Sequence, residues 1–203
     1  AWRRYTKHSR NKAQEIQGAI LPIFDAYPWD RPFLGAVLAG EFTKGSLNQL
    51  KSIGFQVLYF PYESIISACS SVDIDARFNE DTQDIEFKKK KKKIETLVSD
   101  QHEQLKEYLI NSEKKLFDTF LKELAAVLDR TVERLLVIPL YGSEESFSSI
   151  TAALAYIQDY QATGGAGPFR KFEIVVKFSN GDTIDASFKS QAEVRKFLAY
   201  LGT

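Results

Sequence analysis

Glu41 and Lys44 stand close together where an apolar run gives way abruptly to polar residues, in the stretch PFLGAVLAGEFTKGSLNQLKSIGFQVLYFP from Pro32 to Pro61. An aspartate, Asp30, precedes them in YPWDRP, and a further acid, Glu15, lies upstream in a stretch of helical periodicity. Carboxylates of this kind hold Mg²⁺ through oxygen ligands. The metal polarises a phosphoryl oxygen and lowers the pKa of a bound water, while a lysine orients that water and offsets charge on the phosphate. The chemistry these residue types suit is metal-assisted hydrolysis of a phosphodiester.

Such groups work only if secondary structure brings them to one place. Phe33, Leu34, Ala36, Val37, Leu38 and Ala39 form a nearly continuous apolar run of strand length, which predicts a strand buried on both faces. In SLNQLKSIG, Leu47, Leu50 and Ile53 recur at helical spacing and Gly54 is placed to cap the C-terminus. A second apolar run, Phe55 to Phe60, follows at once. This is a strand–helix–strand unit with parallel strands, and in open α/β sheets the working groups gather at the carboxyl ends of strands. Glu41 and Lys44 lie at such an end.

Composition narrows the alternatives. The 203 residues are 44% hydrophobic, enough for a real core, and 27 acidic residues balance 27 basic ones, so no global field points to nucleic acid or membrane. No apolar run is long enough to span a bilayer, and AWRRYTKHSR has no apolar segment behind it of signal-peptide character, so a cytoplasmic protein is expected. One cysteine, Cys69, excludes an intrachain disulfide, and with His8 and His102 the sole histidines a Cys/His zinc site is not expected. The glycines of TGGAGP at 163–168 follow a helix where phosphate-binding loops follow a strand, and they match no such fingerprint. No G-x-S-x-G elbow is present.

Along the rest of the chain, Trp2 to Arg10 interleaves basic and aromatic residues in a pattern suited to an arm that follows phosphates or to a solvated terminus. From Ser9, Ala13, Ile16, Ile20, Ile23 and Phe24 mark the inner stripe of a helix ending near Asp25. Tyr62 to Ser70 predicts another helix and the acidic Ser71 to Glu86 a solvated loop. Lys88 to Lys93 is a run of six lysines that starts a long helix, because Ile94, Leu97, Val98, Leu105, Leu109, Leu116, Phe120, Leu124 and Val127 recur every few positions. Either that helix breaks near Asn111 and Ser112 or it pairs with a second copy, and a homodimer through it is expected. Leu135 to Leu140 predicts a short buried strand whose Pro139 marks an edge or an end. A helix with Phe147, Ile150, Leu154 and Ile157 facing inward follows Gly142 and Ser143. Phe172, Ile174, Val176 and Phe178 then alternate onto one face, Asn180-Gly181 makes a two-residue turn, and Ile184, Ala186 and Phe188 return. A final helix from Ser190 buries Val194, Phe197, Leu198 and Leu201.

The expected fold class is α/β: a mixed sheet with a parallel strand–helix–strand core flanked by helices, plus a long helix and a C-terminal β-hairpin and helix. Three segments are expected, 1–87 as the core, 88–134 as the long helix and 135–203 as an extension packed with the core as one unit.

The order of elements over roughly the first 65 residues, helix with Glu15, strand ending in GEFTK, helix SLNQLKSIG and strand FQVLYFP, resembles the PD-(D/E)XK nuclease superfamily, which includes many restriction endonucleases. The resemblance implies that Glu41 and Lys44 are the catalytic pair and that Asp30, Glu41 and Glu15 bind Mg²⁺. Gln49 would sit near the site on the following helix. Two features depart from the superfamily pattern. Its spacing is Glu-x-Lys, whereas here Thr43 occupies the expected lysine position, so Lys44 serves only if the chain bulges or the strand ends after Glu41. The superfamily also places a hairpin before the motif strand, and 25–32 is too short to hold one. The implied function is Mg²⁺-dependent DNA endonuclease activity. The alternative is a non-catalytic dimeric module binding DNA or protein on the same scaffold, and a purely structural dimer is the third possibility.

Overall fold

The computed structural model describes residues 9–79, 81–139, 143–160 and 171–202, together with the backbone of residues 2–3. Among them are eight helices and two small sheets, one parallel and one antiparallel, in place of a single mixed sheet. The chain groups into two compact units, Ala1–Ala26 with Pro32–Ala125 and Tyr27–Arg31 with Ala126–Thr203.

The first unit is built on strands β1 (Trp2–Arg3), β2 (Gly35–Gly40) and β3 (Gln56–Pro61), in the order β1-β2-β3 and parallel throughout. Helix α1 (Ser9–Ala26) precedes β2, and α2 (Lys44–Ser52) joins β2 to β3. Ala36 and Leu38 of β2 and Val57 of β3 face one way, where Ala13 of α1, Leu50 of α2, Phe42 and Phe55 complete the core. Burial on both faces of β2, as the apolar run predicts, does not occur: Val37 is 49% exposed, because the helices α1 and α2 cover the opposite side. Ile20 and Ile23 of the predicted α1 stripe are likewise exposed, whereas Ile16 and Leu21 pack on the core.

Helix α2 ends as its sequence dictates. Gly54 adopts a positive φ of 94°, its N–H donates to the Lys51 carbonyl at 3.1 Å, and the Phe55 N–H donates to the Leu50 carbonyl at 3.1 Å. These two bonds satisfy carbonyls that the helix leaves open and start β3 in the reverse direction.

The remaining helices of this unit are α3 (Tyr62–Ser70), α4 (Asp84–Glu95), α5 (Ser99–Ser112) and α6 (Lys114–Leu128) up to Ala125. The stripe that follows the lysine run is therefore divided among three helices: the break expected near Asn111 and Ser112 is found at Glu113, a further one falls at 96–98, and the element expected to pair with a second copy is not continuous. The first break follows from competing hydrogen bonds: the Thr96 hydroxyl donates to the Lys92 carbonyl, and Gln101 Oε1 accepts from the Val98 N–H at the start of α5. The second falls at Glu113, whose carboxylate accepts from Ser64 of α3 at 3.1 Å. Leu97 and Leu105 pack onto Cys69, Val72 and Ile74, so part of the stripe is used inside the unit.

The second unit carries the antiparallel sheet. Its strands are β4 (Val132–Pro139), β5 (Glu145–Phe147), β6 (Phe172–Phe178) and β7 (Thr183–Phe188), in the order β5-β4-β6-β7. Phe172, Ile174, Val176 and Phe178 bury one face of β6 against α7 (Ile150–Asp159) and α8 (Gln191–Leu201). β4 is an inner strand with Pro139 at its end, where the lost N–H is tolerated. Phe147 lies in β5, and the helix begins later, at Ser149, whose hydroxyl accepts from the Ala152 N–H. The hairpin loop is one residue longer than Asn-Gly suggests. Ser179, Asn180 and Gly181 lie between Phe178 and Asp182, the Phe178 N–H donates to the Asp182 carbonyl, and Gly181 takes a φ of 88°. Helix α8 starts on Ser190 with Glu193 closing the cap, and buries Val194, Phe197 and Leu198.

Gly54→Ala puts a Cβ on a backbone of left-handed sign, and the nearest side-chain atom, Leu34 Cδ1, lies at an ordinary 3.7 Å, so the cost is conformational alone. The substitution is expected to destabilise the chain by about 1–2 kcal/mol, read as a lower urea midpoint at unchanged slope.

Candidate functional site

The carboxyl ends of β2 and β3 hold most of the residues that the sequence singles out. β2 stops at Gly40, which takes a φ of 98°, a conformation that a side chain would oppose. Residues 41–43 are irregular, and α2 begins at Lys44. The alternation of a strand therefore no longer governs Glu41 and Lys44. The spacing objection to their acting together, which assumes an intact strand, does not apply here.

Tyr59 fixes this bend. Its hydroxyl donates to the Gly40 carbonyl at 2.8 Å and accepts from the Phe42 N–H at 3.3 Å, and its ring meets Phe42 edge to face at 5.9 Å. One phenol thus serves two backbone groups of the departing chain. Burial pushes the Tyr59 phenol above its ordinary pKa, opposed by the Phe42 N–H and reinforced by the negative charges of Glu41 and Glu113. Glu41 is half-buried, and its carboxylate acts on Tyr59 through space.

Beside the bend is a knot of hydroxyls. Ser9, fully buried at the start of α1, lies 3.2 Å from Ser46 Oγ and accepts from the Thr43 N–H at 3.3 Å. Thr43 Oγ1 accepts from the Ser46 N–H at 3.2 Å, the defining bond of an N-cap, and the Ser46 hydroxyl donates to the Thr43 carbonyl at 2.8 Å. Thr43 is thus the cap of α2 and holds α1 and α2 together at their N-termini. Lys44, the first residue of α2, is exposed.

The other predicted residues have separate engagements. Glu15 is exposed and accepts from Lys12 at 2.7 Å along α1. Gln49 donates to Gln17 of α1 at 3.1 Å, which makes it a bridge between helices. Asp30 belongs to the second unit, where both its carboxylate oxygens accept from the Tyr200 hydroxyl, at 2.6 and 2.7 Å, and its carbonyl accepts from Arg130. Among the described residues no group of three or more His, Cys, Asp or Glu side chains is arranged to hold a metal ion. Glu41, Thr43 and Lys44 share the end of β2. Tyr59 and Ser46, neither of them a predicted site residue, organise that end, and the one signal for Tyr59 is a phenol near the end of a largely apolar strand.

A second charged feature lies on α4. Helical period places Phe87, Lys90, Lys91, Ile94 and Glu95 on one side and Lys88, Lys89, Lys92 and Lys93 on the other. Lys90 is bonded to Asp75 at 2.9 Å and to the Arg77 carbonyl, and Lys91 lies 3.5 Å from Glu95. The Lys90 ammonium, bonded to Asp75, holds that carboxyl below the usual aspartate range, helped by the Arg77 N–H. Lys88, Lys89, Lys92 and Lys93 are exposed and have no ion-pair partner among the described residues. No helix among the described residues is long and apolar enough to cross a membrane. Arg4, Lys7 and His8 of the N-terminal arm and the glycines at 163–168 lie outside the described residues.

The Tyr200 phenol is raised above the ordinary tyrosine value because its neutral form donates to Asp30. Stabilisation from this bond is therefore present below the ordinary tyrosine pKa and lost as pH rises through the raised one. Asp30→Asn is expected to return Tyr200 toward the ordinary value, followed by tyrosinate absorbance in an alkaline titration. Tyr59→Phe is expected to cost about 1–3 kcal/mol by leaving two backbone groups without their partner, measured by thermal or urea unfolding. Comparison of the chain with protein-family models, with curated proteins and with solved structures returns no significant match to any of the three.

Proposed function

We propose that the chain binds DNA through the lysine face of α4, as a nucleic-acid-binding module. The observation that supports this reading is the set Lys88, Lys89, Lys92 and Lys93, four exposed ammonium groups on one helical face without acidic partners among the described residues. Lysines spaced along a helix neutralise successive phosphates, and the release of counterions from the duplex drives association. The overall neutrality of the chain does not oppose this, because the attraction is local to one face. Binding of this kind is sequence-independent and falls steeply with salt.

A second reading is Mg²⁺-dependent cleavage of the bound DNA, in the manner of the PD-(D/E)XK nucleases. It is favoured by the end of β2 at Gly40, which frees Glu41 and Lys44 from opposite-face geometry. Glu41 would be the carboxylate toward the metal and Lys44 the cation toward the phosphate. When bound, Mg²⁺ supplies Lewis-acid polarisation of the phosphodiester and an activated water. Glu15 and Asp30 have no part in this reading, given their bonds to Lys12 and Tyr200.

Both readings are open to test on the intact chain. Replacing Lys88, Lys89, Lys92 and Lys93 by Gln is expected to weaken retention of a DNA duplex. The slope of log K against log salt should fall by about one unit for each phosphate that a lysine no longer neutralises. Retention unchanged in that variant would remove the binding proposal. For cleavage, nicking of supercoiled plasmid in Mg²⁺ is expected to vanish in Glu41→Ala while retention persists, and the absence of nicking by the unaltered chain would leave binding alone.

A further inference from the structure

We infer that the cleft between α3 and α4 is a binding site for a small soluble anionic amphiphile, an apolar chain or ring system carrying one carboxylate or phosphate. The cleft has a volume of about 410 Å³, within the range of small-molecule sites. Its walls are Ile66 and Cys69 of α3, Ala76 and Phe78 of the segment after it, and Phe87 and Ile94 of α4.

The fold does not fill this space. No residue of α4 is buried, and Phe87 and Ile94 remain 48% and 38% exposed although both line the cleft. The helix is held over it by the edge-to-face contact of Phe78 with Phe87, at 5.5 Å, and by the bond from Lys90 to Asp75. Apolar surface left open to water beside an apolar cavity gains free energy when a hydrocarbon covers it.

Charge selects the head group. Lys90, Lys91 and Glu95 stand at the cleft on α4. Lys90 is committed to Asp75, but the pair of Lys91 with Glu95 is long, at 3.5 Å, and both side chains are more than half exposed, so it holds Lys91 only weakly. The helix as a whole carries six lysines against Asp84, Glu86 and Glu95, so its net charge is positive. An anionic head at Lys91 with its tail along Phe87 and Ile94 meets both conditions. A neutral apolar molecule meets only one. This inference stands apart from DNA binding, which uses the opposite face of α4.

Cys69, the sole cysteine of the chain, lines the cleft, is only 5% exposed and has its thiol pKa raised by burial, so its labelling is slow and depends on access through the cleft. The experiment measures the rate at which a neutral maleimide labels Cys69 in the full chain, with dodecanoate, dodecanol or anionic phospholipid vesicles added, the amphiphiles kept below micelle formation. Dodecanoate is expected to slow labelling saturably. Lys91→Glu, a change on an exposed side chain, should raise the concentration required by about tenfold. Ala76→Trp, which fills the cleft, should abolish the concentration dependence while circular dichroism stays that of the parent. Labelling indifferent to dodecanoate would overturn the proposal, as would equal protection by dodecanol, which denies the anionic head, or protection by vesicles alone, which assigns the face to a membrane. Retention of DNA is unaffected by any of these outcomes, so the two proposals fail separately.

Discussion

Parallel pairing of β2 with β3 sets the terms for the first unit. Strands that run the same way cannot be joined by a tight turn, so the chain must travel back along the sheet before the second strand starts. Helix α2 makes that return, and its two ends carry the strain of reversal. At one end Gly40 turns the chain out of β2, and at the other Gly54 turns it into β3, both with positive φ. The side chains around these two turns, Tyr59 bridging Gly40 to Phe42 and Thr43 capping α2, exist to satisfy backbone groups that a reversal leaves open.

The same constraint explains how the polar residues at the junction are engaged. Thr43, Ser46 and Ser9 are consumed by caps and by each other, since a buried hydroxyl or N–H without a partner costs more than a made bond returns. Gln49 and Glu15 are tied to neighbours on α1. Glu41, half-buried, and Lys44, exposed, stand where β2 gives way to α2. The negative charge of Glu41 adds to the burial that raises the Tyr59 phenol at the bend.

On α4 the electrostatics of a like-charged run are managed along the helix axis. Asp84 and Glu86 stand in the first turn and Lys92 and Lys93 in the last, each set matching the sign that the helix dipole favours. Across the axis the run divides, two lysines beside the apolar cleft and four toward solvent. The helix gains little from burial, so its position rests on the Phe78–Phe87 contact and on Lys90. Such an element is the natural place for ligand-dependent change, because few interactions need to break for it to move.

Local patterns determined the elements whose physics is local. Alternation set β6 and β7, Ser190 with Glu193 started α8, and Gly54 ended α2, because each depends on residues a few positions apart. The sequence also placed Glu41 and Lys44 at a strand-to-helix junction, and that is where they are. It left open whether the apolar stripe from Ile94 to Val127 breaks near Asn111 and Ser112 or pairs with a second copy, and the break that forms at Glu113 is held by Ser64 from a distant part of the chain. Only tertiary structure decided that Val37 faces outward, that Asp30 serves Tyr200 and that a tyrosine of β3 holds the end of β2. Burial and hydrogen-bond partners across long separations are properties of the packed chain, and no spacing along the sequence encodes them.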